Sequence, residues 1–511
     1  MIDALFTAFG HFDLTVMLFL MIGVIAGTIV GIIPGLGGLF LLALLLPFTY
    51  GMDMFSAFAL LMAAAAVTGT SNTVTAVLFG VPGTAGGVAV IFDGHPLAKK
   101  GRANEAMAAS FLSSSLAAIF GVVVIAILLP VLRPVVLWFG PPEFFMLVLA
   151  AVVLMAYAVN GDKLKALMSG GLGLLVSFIG LEGSTGTPRY TFDLLYLWDG
   201  LKIVPVIIGL FAVTEMLILM RTGTQLSDKS ALMSREEGGT RRGMIGALKH
   251  WRTMLQSSII GVWVGLLPGV GGETSQFISY TQAQRTSKRG KYFGTGEVEG
   301  VIAADASTNS KDAGSLIPTL LFGIPGSAQM ALLLAAFLIF GVEPGPRMLG
   351  DQLDVTWFLL LTLVVSHVAA TLICLTMSRW FAGLAKVKTV YLVGAILVIS
   401  LFGTYTTSNN IGDIWVAIIA GIVGYFMFKT GMSRATFIIG LVLGPLLEHN
   451  LILTEQIHGW TYLGRPIVIV LLAAIVLVMV WPTIKAVRGK RRSLAAALSD
   501  ETLSPTATPS K

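Results

Sequence analysis

Gly31-Ile32-Ile33-Pro34-Gly35-Leu36-Gly37-Gly38 closes one long apolar run of this chain, and Gly265-Leu266-Leu267-Pro268-Gly269-Val270-Gly271-Gly272 closes another. Each is followed by a second Pro-Gly sequence. In the first half it is Leu78-Phe79-Gly80-Val81-Pro82-Gly83-Thr84-Ala85, and in the second Leu321-Phe322-Gly323-Ile324-Pro325-Gly326-Ser327-Ala328. Proline removes a helical hydrogen bond and clashes with the turn before it. In a bilayer, backbone groups freed in this way survive only where they are buried in protein or line a cavity. Broken helices at corresponding places in two halves of a membrane chain point to a transporter binding site. The pattern reads as a carrier, not as a receptor or an anchor.

Composition agrees. Mean hydropathy is +0.86; 55% of residues are hydrophobic and 12% charged, against about 25% charged in a soluble domain. Apolar runs at 14–33, 116–132, 357–377 and 466–480 suit spanning helices, at about 20 residues per crossing. The chain reads as a polytopic protein of an inner, plasma-membrane type, surrounded by lipid bilayer and lacking a soluble domain. Its longest polar stretch, 221–252, reads as a loop. The net charge of +6 would suit nucleic acid, but the basic residues sit in short loops between apolar runs and act as topology signals. Nucleic acid is therefore excluded as a partner. The single cysteine, Cys374, lies in an apolar run, so no disulfide or cysteine metal cluster is expected. No Lys or Arg precedes the first apolar run, so that run reads as a retained helix, not a cleavable signal.

Sidedness follows from charge. One assignment puts Lys99, Lys100, Arg102, Lys163, Lys165, the 221–252 stretch, Arg285, Lys288, Arg289, Lys291, Arg379, Lys386, Lys388, Lys429, Arg434 and the 485–511 tail in the cytoplasm. That gathers 27 of the 33 Lys and Arg on one side and leaves the N-terminus periplasmic and the C-terminus cytoplasmic. Stretch 49–53 has no basic residue, while its counterpart 285–291 is strongly basic; 99–102 is basic, while 341–353 has only Arg347. Corresponding loops thus fall on opposite sides, and an inverted-topology repeat is the favoured reading. The expected fold class is an all-α polytopic membrane protein of two repeats with broken helices or re-entrant hairpins, plus scaffold helices. The expected organisation is a first core at 1–106, scaffold helices at 107–220, a cytoplasmic loop at 221–251, a second core at 252–350, scaffold helices at 351–484, and a basic, then disordered, tail at 485–511.

The paired Gly-x-x-Pro-Gly-x-Gly-Gly segments, the paired Leu-Phe-Gly-x-Pro-Gly segments and Gly94-His95-Pro96-Leu97-Ala98-Lys99-Lys100-Gly101-Arg102 resemble the large permease subunit of tripartite tricarboxylate transporters, the TctA family. The resemblance covers nearly the whole chain apart from the tail. It implies a three-part secondary carrier: this subunit, a small four-helix membrane subunit and a periplasmic substrate-binding protein that delivers a carboxylate. It implies an ion gradient, Na+ or H+, as the drive, with no cofactor and no ATP. The permease motifs do not distinguish the substrate.

Candidate site residues come from the same breaks. Glycines let backbone approach a ligand, and half-helix N-termini offer free N–H groups to an anion. Pro34, Gly35, Gly37, Gly38, Pro268, Gly269, Gly271 and Gly272 are therefore candidates for a carboxylate substrate; otherwise these glycines serve only close helix crossing. Glu273, Thr274 and Ser275 follow the second tip. The polar run Thr68-Gly69-Thr70-Ser71-Asn72-Thr73 and its second-half counterpart Ser307-Thr308-Asn309-Ser310 suit a coupling ion or a carboxylate, or ordinary interhelical hydrogen bonds. Ser71, Asn72, Thr73 and Asn309 are the ion candidates there, with Asp305 and Asp312 beside them. An ionisable group at membrane depth is a functional candidate by default. Lys311 could meet a substrate carboxylate or pair with Asp312 or Asp305. The Gly94-His95-Pro96 segment reads as a cytoplasmic turn, and the scattered histidines have no metal-ligand spacing.

Other classes fare worse. An intramembrane hydrolase lacks Gly-x-Gly-Asp, His-Glu-x-x-His or a placed Ser and His, and no phosphate-binding Gly-x-x-x-x-Gly-Lys sequence is present. A scaffold has no need of duplicated helix breaks. The alternative kept open is a stand-alone carrier of another small organic anion.

Overall fold

The computed structural model describes residues 1–33, 36–81, 87–158, 162–182, 185–222, 238–267, 271–384 and 389–480. Pro34, Gly35, Pro268 and Gly269 and the 485–511 tail lie outside them, as does the side chain of Glu273. The first half runs α1 (Ile2–Gly10), α2 (Leu14–Ile32), α3 (Gly38–Leu45), α4 (Met54–Phe79), α5 (Val88–Lys99), α6 (Ala103–Leu137), α7 (Pro141–Ala158) and α8 (Lys163–Ser177). A two-residue ladder, β1 (Gly180–Leu181) against β2 (Pro188–Arg189), precedes α9 (Ile203–Ile207). A π-helical turn, Ile208–Val213, joins α9 to α10 (Thr214–Thr222). The second half runs α11 (Gly239–Lys249), α12 (Trp251–Leu266), α13 (Gly271–Thr286), α14 (Val298–Phe322), α15 (Ala328–Ile339), α16 (Leu353–Leu384), α17 (Thr389–Thr406), α18 (Ile411–Thr430) and α19 (Arg434–His458).

Among the described residues, seven helices are long and apolar enough to cross a membrane: Leu14–Ile32, Met54–Phe79, Ala103–Leu137, Ile203–Arg221, Leu353–Met377, Ile411–Thr430 and Arg434–Gly464. Shorter apolar helices accompany them, including Pro466–Val480. The chain is a multi-pass, all-helical membrane protein apart from the small β1–β2 ladder.

Local chemistry explains where the helices stop. Asp13 and Asp53 cap α2 and α4, accepting from the Val16 N–H at 2.8 Å and the Ser56 N–H at 3.0 Å. At their far ends α2 and α12 finish alike. Ile33 (φ −82°, ψ 114°) and Leu267 (φ −90°, ψ 111°) turn extended just before Pro34 and Pro268, as a residue preceding proline must. The long helices α4 and α14 also end alike, at the left-handed glycines Gly80 (φ 65°) and Gly323 (φ 66°).

Packing turns on rows of small residues. Gly23, Gly27 and Gly31 let α2 lie against α4; a Cβ at Gly27 would sit 3.0 Å from the Ala64 carbonyl oxygen. Ser257, Gly261 and Gly265 occupy the same spacing on α12 against α14, where a Cβ at Gly265 would meet Ser315 N at 2.8 Å. The long helices cross between halves: α6 packs on α14, and α16 packs on α4. Likewise α11 lies along α6 and α1 along α16, with the His11 ring stacked 3.7 Å from Phe55. Further out, α7 and α8 pack against α19, while the α9–α10 rod packs against α18 and α17.

Two expectations are corrected. Part of the polar stretch expected as a loop is helix α11, because Gly243 lets it press on Ala108 and Ala109 of α6. Gly94-His95-Pro96 is not a turn: it lies inside α5, with Gly94 tight on Val77 and the His95 Nδ1 3.0 Å from the Val77 carbonyl.

Candidate functional site

The start of α3 meets the second half. Ser327 caps α15, accepting from the Met330 N–H at 3.3 Å. This sets Gln329 in the first turn of α15, where its amide reaches the Thr68 hydroxyl and the Ala65 carbonyl, each at 3.5 Å. A Cβ at Gly38 would fall inside that amide and 2.6 Å from the Thr68 Oγ1. The start of α3 from one half and the start of α15 from the other thus close tightly on the same residue, Thr68. Gly326 N–H donates to Thr319 at 3.2 Å, which folds the α15 tip back on α14.

Asn72 marks a related place. It lies in direct contact with Gly87, the residue that opens α5, and its Nδ2 donates to the Gly69 carbonyl at 3.1 Å. On the second half, Gln276 of α13 donates to Thr308 of α14 at 2.5 Å, and its Oε1 has no hydrogen-bond partner among the described residues. Ser275 is buried beside it, and Thr274 is half-buried.

Between these tips α4 and α14 touch at Gly69 and Asn309. The Asn309 amide donates to the Thr70 hydroxyl at 2.7 Å and lies 3.3 Å from the His367 Nδ1 of α16. The Asn309 Oδ1 and His367 Nε2 are both buried without hydrogen-bond partners among the described residues. One turn along, Asp305 accepts from Thr73 at 2.8 Å and from Ser110 of α6. The structure therefore brings Thr73 together with Asp305, and Thr70 with Asn309. Ser71 faces elsewhere, donating to the Gly27 and Val67 carbonyls at 3.1 Å each. Lys311 and Asp312, both almost fully buried, are 2.5 Å apart, and no contact joins Lys311 to Asp305 among the described ion pairs. Counted back from the caps Gly80 and Gly323, Asn72 stands about two turns in and Asn309 about four. The two asparagines are thus not at equivalent helical positions, although their sequence contexts look alike.

Asp93, which was not among the residues expected at the site, joins the halves through four hydrogen bonds. It is fully buried on α5. Its Oδ1 accepts the backbone N–H groups of Gly294, Gly296 and Glu297 at 2.9, 2.8 and 2.8 Å, and its Oδ2 accepts the Tyr280 hydroxyl at 2.8 Å. A carboxylate of one half thus caps the start of α14 in the other. Lys100 adds a bond to the Thr295 carbonyl at 2.6 Å. Glu297 itself is pushed above the usual carboxylate range by burial, an effect opposed by Arg289 at 3.0 Å. The available signal was an ionisable residue next to a quoted motif in an otherwise apolar segment. Gln329 was also missed, and nothing in its local sequence distinguishes it; His367 was set aside with the scattered histidines, although it is an imidazole inside the apolar run 357–377.

Residues 17–439 match the family model described as the tripartite tricarboxylate transporter TctA family. The chain belongs to that family. A TctA-family chain is a membrane transporter subunit and not an enzyme. An uncharacterized 52.8 kDa protein of Agrobacterium vitis, from the TAR-I ttuC' 3' region, is 30% identical over 480 residues, spanning 92% of this TctA chain and 94% of the relative. An uncharacterized Agrobacterium vitis protein from the TAR-II ttuC' 3' region is 29% identical over 234 residues, 45% of this chain and 97% of the relative. No solved structure matches the chain.

Proposed function

We propose that this TctA subunit moves a di- or tricarboxylate inward by alternating access, driven by a sodium or proton gradient. The observation that carries the reading is the meeting of Gly38 and Gln329 over Thr68, where helix starts from two halves converge on polar groups inside apolar surroundings. Helix starts present unpaired N–H groups suited to a carboxylate. Gly37, Gly38, Gly271, Gly272, Thr274, Ser275 and Lys311 would serve the substrate, and the Thr73–Asp305 and Thr70–Asn309 contacts would serve the coupling ion.

An inverted-topology repeat accounts for the paired features. The small residues Gly23, Gly27 and Gly31 have counterparts at Ser257, Gly261 and Gly265, and the ends of α2 and α4 mirror those of α12 and α14. The exchange of long helices, α6 to the second core and α16 to the first, fits two hairpin cores held in one frame. The proposed surroundings are the bacterial inner membrane, N-terminus periplasmic and C-terminus cytoplasmic. The proposed partners are a small four-helix membrane subunit and a periplasmic binding protein, since the family description names a tripartite system.

The test is uptake of labelled citrate and a panel of dicarboxylates into proteoliposomes holding this chain and its small partner, with the binding protein outside. Uptake that needs both the binding protein and an imposed gradient is expected, and comparing sodium with proton gradients names the ion. Failure of every carboxylate, from folded protein, would overturn the substrate class.

A further inference from the structure

Between α8 and α9 the chain builds a crest that the proposed transport cycle does not use. Tyr190, Phe192, Leu194 and Leu195 stand 63%, 80%, 57% and 75% exposed. Tyr190, Phe192 and Asp193 all adopt left-handed backbone, at φ 55°, 48° and 58°. Such backbone is strained for a non-glycine residue and persists only where its surroundings enforce it. Here they do. The β1–β2 ladder holds the base, the Leu181 N–H donates to the Trp198 carbonyl at 2.9 Å, and Arg189 pairs with Glu448 of α19 at 2.7 Å. Tyr196 donates to Asp413 of α18 at 2.5 Å, and Lys202 lies 3.8 Å from the same carboxylate. Burial, then the bond to Asp413, holds the Tyr196 phenol above its usual range, so it remains a donor.

Charge says what such a surface faces. The two basic residues of the segment are both paired, whereas Asp193 and Asp199 are exposed and make no ion pair among the described residues. An apolar crest with free acidic groups is a poor match to an anionic bilayer surface, which recruits Lys and Arg beside its aromatic residues. It matches a protein surface that is apolar at its centre and basic at its rim. The opposite ends of the same helices carry Lys163, Lys165, Lys429 and Arg434, with Lys165 bonded to the Thr430 carbonyl at 2.9 Å. By charge bias those ends are cytoplasmic, and the crest is on the outer face.

We propose that Tyr190, Phe192, Leu194 and Leu195 form the docking crest for a water-soluble protein whose contact face is an apolar recess rimmed by basic side chains. Resting on the function proposed above, that protein is the binding protein of the system. Because the crest is held rigid before contact, little ordering is needed on docking.

The experiment titrates purified binding protein against proteoliposomes holding the full chain and its small partner. Phe192→Gly removes the ring while relaxing the left-handed backbone, so misfolding is not the obvious result. It should raise the binding-protein concentration for half-maximal uptake by about ten-fold and leave the maximal rate unchanged. Asp193→Lys should raise it too, with an effect that shrinks as salt is added. An unchanged half-maximal concentration in both variants overturns the crest. So does a photo-crosslinker at Phe192 that joins to lipid or to the small subunit instead of the added binding protein. If wild-type uptake needs no binding protein, the functional reading fails before any variant is compared, and the crosslink alone decides the crest.

Discussion

At Gly38 a hydrogen stands where any side chain would collide with an amide from the other half of the molecule. Gly38→Ala would place a methyl group inside the Gln329 amide and against Thr68, so the Gln329 side chain must turn away and its bridge to Thr68 is lost. We expect uptake to fall at least about ten-fold, equivalent to a misplacement cost of about 1.4 kcal/mol, with membrane insertion unchanged. Insertion is checked by the detergent-extracted yield. Gln329→Ala, which vacates that space, should partly rescue the Gly38→Ala variant. Asp93 gives a second prediction. Asp93→Ala leaves three backbone N–H groups and a tyrosine hydroxyl unmatched in the interior. The loss should be about 3 kcal/mol, read as a lowered thermal midpoint in detergent. Asp93→Asn keeps an acceptor for the N–H groups and should lose clearly less.

Among the elements, the outer helices depend on glycine seams. In α8 a Cβ at Gly173 would meet the Leu441 N at 3.0 Å as well as the Phe437 backbone of α19, and at Gly421 of α18 it would meet Val213 of the π-helical turn at 2.5 Å. Gly173→Leu should therefore separate α8 from α19 and lower the yield of folded protein, while uptake per folded molecule falls less than for Gly38→Ala. Fluorescence-detected size exclusion measures the first and proteoliposome uptake the second. The apolar runs made most of these helices legible, since their length and hydropathy are written locally. The Pro-Gly breaks were legible for the same reason: proline dictates the backbone of its neighbour wherever it sits. Helix α11 was not, because its charge concealed a small face that only α6 completes. Gly94 and Pro96 read as breakers, yet close packing on Val77 keeps them helical. The partners of Asp93, Gln329 and Asn309 lie far along the chain, and no local pattern encodes a contact over that separation.

For the whole molecule, each half supplies long helices to the other. A lone cysteine at Lys288, in a Cys374→Ser background, tests how the halves are oriented. Labelling from the cytoplasmic side alone is expected of inverted repeats, and labelling from outside would require a parallel arrangement. The break beside Gly38 was legible in the sequence, but its meeting with Gln329 of the other half was not, because that contact joins residues nearly 300 positions apart.

The packing of α6 on α14 also bears on how the protein is made. When α6 leaves the ribosome, the helix that will cover its Ser110 and Gly121 has not been synthesised. Until then the first half holds that face of α6 without the helix that packs on it. Fragments 1–230 and 231–511, expressed separately, should each be degraded, yet restore uptake when produced together in one cell.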